Sequence, residues 1–235
     1  MFKRDQGHWH KVIEHRTGLF ALLATLAVVV GGLVEIVPMY YVDFEVPAET
    51  VQPYTPLELA GRDIYVREGC YNCHSQMIRP TYSETLRYGE WTRSYELMHD
   101  RPFQLGSRRI GPDLAREGGL RSDSWHYAHF EDPRSMQIGS IMPSYSWLLR
   151  WKLDVADVTA SVVAMKRLGV PYTDADVATV GASMQTQGET IAASIRADLD
   201  NVEVDWDHEV VALIAYMQQL GTNLQLPAGT ETASN

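Results

Sequence analysis

EGCYNCHSQMIRP, residues 68–80, contains Cys70 and Cys73, the only cysteines in 235 residues, with His74 directly after the second. Three chemistries use cysteines at this spacing. A zinc half-site needs two further ligands, normally Cys or His at close spacing. No other cysteine exists, and His99, His126, His129 and His208 are scattered. A thioredoxin-like redox pair wants a βαβ setting, and no convincing strand pattern runs through the chain. C-x-x-C-H is also the attachment signal for c-type haem. The two thiols add across the haem vinyl groups, and the adjacent imidazole is held under the iron. The haem chemistry is the one these residues fit best, with Cys70 and Cys73 expected as thioether anchors and His74 as an axial ligand, and zinc and redox chemistry as the alternatives.

Attachment of this kind takes place outside the bacterial cytoplasmic membrane, and the N-terminal segment agrees with that. TGLFALLATLAVVVGGLV, residues 17–34, has no charged side chain. A helix of 20 residues from Gly18 to Val37 would be about 30 Å long, the thickness of a bilayer core. The run is longer than a signal-peptide core and leads into Glu35-Ile36-Val37-Pro38, with no small-residue cleavage pattern, so it reads as an uncleaved anchor. Lys3, Arg4, Lys11 and Arg16 precede it, whereas the next basic residue is Arg62. The positive-inside bias therefore puts the N-terminus in the cytoplasm and the rest outside, with Tyr40 and Tyr41 as interface anchors. Glu35 has no assigned role.

Residues 1–17 carry a net +2, so the remainder holds −12 of the total −10. An acidic body argues against nucleic acid, which wants a basic stripe. Hydrophobic content of 45% with 21% charged residues fits a folded chain. The organisation expected is a cytoplasmic N-terminus (1–17), an anchor (18–42), a proline-containing linker (43–56), a haem domain (57–225) and a flexible tail (226–235). Within the domain, helices are expected over 56–70, 153–169 and 207–221. In the last of these, Val210, Leu213, Ile214, Met217 and Leu220 mark one apolar face and Gly221 marks the stop. Residues 75–109 are rich in Arg and Tyr without a clear period, and are expected to be a docking surface, with a solvated loop as the alternative. The segment 173–201 is acidic and weakly amphipathic, and a solvated helix is expected near 190–200.

A second axial ligand must come from elsewhere. Of the seven methionines after His74, Met77 is too close in sequence to reach the opposite haem face. Met165 and Met217 lie on apolar helical faces. Met142, in GSIMPSYSWL, follows Gly139 and precedes Pro143 in a loop well past the haem motif, and is the leading candidate. His/Met ligation raises the reduction potential relative to stronger donors; His126 and His129 are the rivals. Arg79, Arg108 and Arg109 are candidates to pair with haem propionates, since a guanidinium fork suits a carboxylate. Tyr145 and Trp147 are candidates to pack on the haem.

A haem histidine needs its other ring nitrogen tied to an acceptor. In class I cytochromes c the proline carbonyl of a Gly-Pro-x-Leu loop does this, and Gly111-Pro112-Asp113-Leu114 resembles that loop. Gly61, Tyr65 and Tyr216 resemble the crossing helices that close the same fold. The fold class expected is therefore all-α: a single N-terminal transmembrane helix plus a class I cytochrome c-like periplasmic domain. A long insertion departs from the minimal pattern, because 36 residues separate His74 from Gly111.

Longer blocks carry a closer resemblance. GRDIYVREGCYNCHSQMIRP, RYGEWTRSYE, RRIGPDLAREGG, SDSWHYAHFEDPRS, IMPSYSWL and LGVPYTDADV are together similar to the mono-haem subunit of cbb-type cytochrome c oxidases. Residues 181–205 are the least similar part. The resemblance implies one covalently bound haem c in a haem–copper oxidase of the bacterial inner membrane. Electrons would pass from periplasmic c haems through this chain to haem b and the haem–copper site of the catalytic subunit. It also implies a di-haem cytochrome c subunit and small single-helix subunits as partners. A calcium ion near the backbone of Ser107, at the border with the catalytic subunit, is a further implication. Alternatives are the cytochrome c subunit of nitric oxide reductase, a free-standing membrane-anchored carrier, or a haem gas sensor. The first two do not need the insertion, and firm Met142 ligation would leave a sensor no open site.

Overall fold

A computed structural model describes residues 8–39, 51–106 and 108–224. Among the described residues the regular elements are helices, and a lone antiparallel bridge between Lys152 and His208 is the only β pairing. The chain is all-α. Tyr40, Tyr41, most of the expected linker, Ser107 and the tail lie outside the described residues.

Two compact units divide the chain, Met1–Glu45 and Val46–Asn235. The first contains α1 (His8–Glu14) and α2 (Thr17–Met39). α2 has 23 residues, about 34 Å of helix. Its stretch Thr17–Pro38 has a mean hydropathy of 2.4 and is unburied. Leu22, Val28 and Val34 stand exposed along it, as an apolar helix does before it meets lipid or a partner. By length and composition α2 is a helix able to cross a membrane, and exposed Glu35 lies near its end.

The second unit is organised around α3 (Pro56–Arg67) and α10 (Glu209–Gln219). α3 starts on a reciprocal cap: the Glu58 amide donates to Thr55 Oγ1 and the Thr55 amide to the Glu58 carboxylate, with Pro56 at the first helical position. It ends where Gly69 turns left-handed at φ 72°, which throws the chain into the cysteine turn. α3 crosses α10 at Gly61, where a Cβ would overlap the Ala212 carbonyl and approach the Tyr216 Cβ to 2.8 Å. The Tyr65 and Tyr216 rings meet beside this crossing, 5.5 Å apart. Gly221, at φ 88°, terminates α10.

α10 differs from the one-sided helix its pattern predicts. Every residue from Glu209 to Met217 is buried, because α3, α5 (Asp123–Glu131), α9 (Val180–Asp198) and the turn Ser146–Leu149 pack around it. The expectation of a solvated helix near 190–200 is overturned. α9 buries Met184, Ile191, Ala192 and Ile195 and packs on α3, α5, α7 (Val155–Arg167) and α10. At Gly188 a Cβ would stand 2.6 Å from the Trp206 carbonyl oxygen. α9 is a wall of the core.

The aperiodic region 75–109 contains one short helix, α4 (Tyr82–Tyr88), and the turn Ser94–Leu97. It is tied to α3 by a buried ion pair. Arg62 Nε donates to Asp100 Oδ1 at 3.1 Å and Arg62 Nη2 to the Pro102 carbonyl at 2.8 Å.

Candidate haem site

After Gly69 the chain makes a single tight turn. The amides of Cys73 and His74 both donate to the Cys70 carbonyl, at 3.1 and 3.0 Å. Both thiols are free, and Cys70 packs on the edge of the core. Burial, with the charge of Glu68 second, pushes the Cys70 thiol up to about 12. Among the described residues no βαβ unit surrounds the pair, so a thioredoxin-like redox setting is absent there.

His74 is gripped from its δ side. Its Nδ1 lies 2.9 Å from the Pro112 carbonyl oxygen. A carbonyl can only accept, so Nδ1 carries the proton and Nε2 keeps its lone pair for a metal. Backbone bonds flank the contact on both sides. The Gly111 amide donates to the Cys73 carbonyl at 3.0 Å, and the Leu114 amide to the Ser75 carbonyl at 2.9 Å. Glycine is required at 111, because any Cβ there would overlap the His74 ring. Gly106 approaches from elsewhere, at φ 63°, where a Cβ would stand 2.5 Å from the His74 carbonyl oxygen.

Met142 is half-buried and packs against the core. Its loop is anchored to α5 at the far end: the Tyr145 amide donates to the Phe130 carbonyl at 2.8 Å, and Ser144 Oγ to the Glu131 carbonyl at 2.6 Å. Met165, Met184 and Met217 are buried on helices and serve the core. The Tyr145 and Trp147 rings meet edge to face at 5.3 Å. Burial, then the neighbouring thiols of Cys70 and Cys73, raises the Tyr145 phenol to about 12, so Tyr145 stands beside the cysteine turn.

Both rival histidines sit on α5. His126 is buried with Nε2 lacking a hydrogen bond and 3.7 Å from Glu117 Oε1. Burial first, then the charges of Arg121 and His129, depresses it to about 4. His129 stacks on Trp125 at 4.6 Å, and its buried Nδ1 also has no partner. Among the arginines, Arg108 is exposed. Arg79 is 61% exposed at its side chain and pairs with Glu84. Arg109 is turned into the protein, bonded to Ser75, Met77, Glu84 and Asp113. Arg109 Nη2 and Nε are therefore occupied by protein groups. Ser107 lies outside the described residues.

Sequence reasoning passed over Asp113 and Glu84. Asp113 filled the variable place of the Gly-Pro-x-Leu pattern, and Glu84 lay in a stretch without period. Arg109, aided by the Arg79 amide and side chain, holds the Glu84 carboxyl down to about 2 against partial burial.

The residues fit a haem. Two unpaired thiols lie one turn from an imidazole protonated on Nδ1, Tyr145 stands beside them, and Met142 and Trp147 pack on the edge of the same core. No curated protein matches the chain. A family model described as cytochrome c oxidase, mono-heme subunit/FixO, matches residues 10–224. That match takes in the apolar helix, the cysteine turn, the Gly-Pro loop and α10, and with it the chain belongs to the family of mono-haem subunits of cytochrome c oxidase.

Proposed function

We propose that this chain is a membrane-anchored mono-haem cytochrome c that relays electrons from periplasmic c haems to the haem b and haem–copper centre of a proton-pumping oxidase. Membership of an oxidase-subunit family supports the setting. The observation that carries the relay role is the His74 Nδ1–Pro112 hydrogen bond, which fixes the tautomer and leaves Nε2 for iron. Bound haem supplies a reversible one-electron carrier. Cys70 and Cys73 would tether it, and His74 and Met142 would hold its iron. With both of those ligands engaged the iron would serve as a relay, and oxygen reduction would belong to the catalytic subunit.

The remaining assignments follow from this. α2 crosses the bacterial inner membrane once, with the N-terminus cytoplasmic and the domain from about residue 57 periplasmic. Tyr145 and Trp147 would pack on the haem, and the exposed Arg108 and the free edge of Arg79 would be available to its propionates. A di-haem cytochrome c subunit, the catalytic subunit and small single-helix subunits are the partners. Calcium near Ser107 would sit at the border with the catalytic subunit.

The test is to tag this chain, solubilise its membrane gently and assay haem and metals. Covalent haem c with co-purifying haem b and copper is expected. Haem c alone, one per chain without copper, would replace the proposal with a free carrier. Haem b with non-haem iron would replace it with a nitric oxide reductase subunit.

A further inference from the structure

Asp113 is at the centre of a network that no haem-attachment motif requires. Its carboxylate is 0% exposed and takes four hydrogen bonds. Ser75 Oγ–H donates to Oδ2 at 2.6 Å, the Met77 amide to Oδ2 at 3.0 Å, Arg109 Nη2 to Oδ2 at 3.3 Å, and the Ala115 amide to Oδ1 at 2.9 Å. Ser75 is covalently next to His74, and Asp113 is covalently next to Pro112. One side chain thus clamps together the residues adjoining each end of the His74–Pro112 hydrogen bond.

A second layer comes from the insertion. Arg109 Nε donates to Ser75 Oγ at 2.6 Å, and Nη2 donates to the Met77 carbonyl at 2.8 Å and to Glu84 Oε2 at 2.7 Å. Glu84, 7% exposed, also accepts from the Arg79 amide at 2.9 Å. Two carboxylates and two guanidiniums balance in charge. An uncompensated charge at such a depth would be expelled or neutralised. The arrangement is stiff, because each carboxylate accepts from backbone amides as well as from arginine.

We propose that Asp113, held by Arg109 and Glu84, is the positioning residue for His74: it fixes the Pro112 carbonyl against Nδ1 and so sets the orientation and donor strength of the imidazole toward haem iron. The inference rests on His74 being the proximal ligand. It also gives part of the insertion a task inside the subunit. A carbonyl held on Nδ1 raises the basicity of the ligand, and the carboxylate adds a nearby negative charge. Both favour ferric iron, so loosening this clamp raises the reduction potential.

The experiment compares the intact, haem-loaded oxidase complex with complexes carrying Asp113→Asn or Glu84→Gln. Two quantities are read: the midpoint potential of the c haem of this chain and the g values of its ferric electron paramagnetic resonance spectrum. The g values report the orientation of the axial ligands, which a merely structural defect does not move while ligation is intact. Asp113→Asn is expected to raise the potential and shift the g values, and Glu84→Gln to do both more weakly. A raised potential with unchanged g values would show a bare charge effect and overturn the positioning role. No change in either quantity would overturn it outright. If Asp113→Asn retains no haem, Glu84→Gln decides by the same two readouts. If His74→Ala kept the wild-type low-spin spectrum, the ligand assignment itself would fall, an outcome separate from any result with Asp113.

Discussion

Replacing Gly61 by alanine tests the helix crossing on which the domain is built. A Cβ at 61 would stand 2.8 Å from the Tyr216 Cβ and 2.6 Å from the Ala212 carbonyl carbon. Carbon atoms in contact prefer about 3.5–4.0 Å, and the Ala212 carbonyl oxygen overlaps the new Cβ still more closely, so α3 and α10 must separate by at least about 1 Å. The first obstacle is backbone, which a rotamer change cannot relieve. Overpacking of a core costs about 1–3 kcal/mol and occasionally more. Alanine returns up to about 1 kcal/mol of helix propensity over glycine. The tight contact puts the gross cost at the upper end, leaving a net loss of about 2 kcal/mol. For a domain of this size that lowers the melting temperature by about 4–8 °C. The assay is thermal unfolding of the haem-loaded full chain in detergent, followed by circular dichroism and by haem absorbance. An unchanged or raised melting temperature would refute the close approach at Gly61.

Three further outcomes are expected. Met184→Ala, at a fully buried position on α9, should destabilise the domain by about 2–5 kcal/mol in denaturant titration, whereas a solvated α9 would lose almost nothing. His126 titrates near 4 when folded against 6.5 unfolded. Its stabilising contribution is therefore complete above pH 6.5 and is lost as the pH falls toward 4, by up to about 1.4 kcal/mol per pH unit. Stability measured across that window should be flatter in His126→Phe than in the parent, and identical slopes would discount burial of the neutral imidazole. Met142→Ala should abolish the red-edge methionine–iron charge-transfer band, lower the reduction potential and open the ferrous haem to carbon monoxide. Retention of the band would move the distal ligand elsewhere.

What could be read from sequence alone was whatever depends on near neighbours in the chain. The apolar run 17–34 announces α2 by length, and the spacing of Cys70, Cys73 and His74 marks a candidate haem site within one turn. Gly61 and Tyr216 were legible as a crossing only through resemblance, yet their contact is now explained by a carbonyl that leaves no room for a Cβ. The face of α10 was understated because Ala212 and Ala215 read as neutral, although both are buried. α9 was misjudged for a similar reason. Met184, Ile191, Ala192 and Ile195 are spaced among Gln, Thr, Ser and Gly, which dilutes the pattern. Gly188, which admits Trp206, carries no apolar signal. α4 has seven residues, too few to establish a period. The Asp113 clamp was invisible because its partners Ser75 and Met77 lie 38 and 36 residues away, and a polar contact at that separation leaves no local mark.

The relay claim is tested most directly by mixing the fully reduced, purified complex with oxygen and following each haem in time. The c haem of this chain is expected to be oxidised within the first turnover, in step with re-reduction of haem b, and to lose this coupling in Met142→Ala. A c haem that stays reduced while oxygen is consumed at the normal rate would contradict the relay claim.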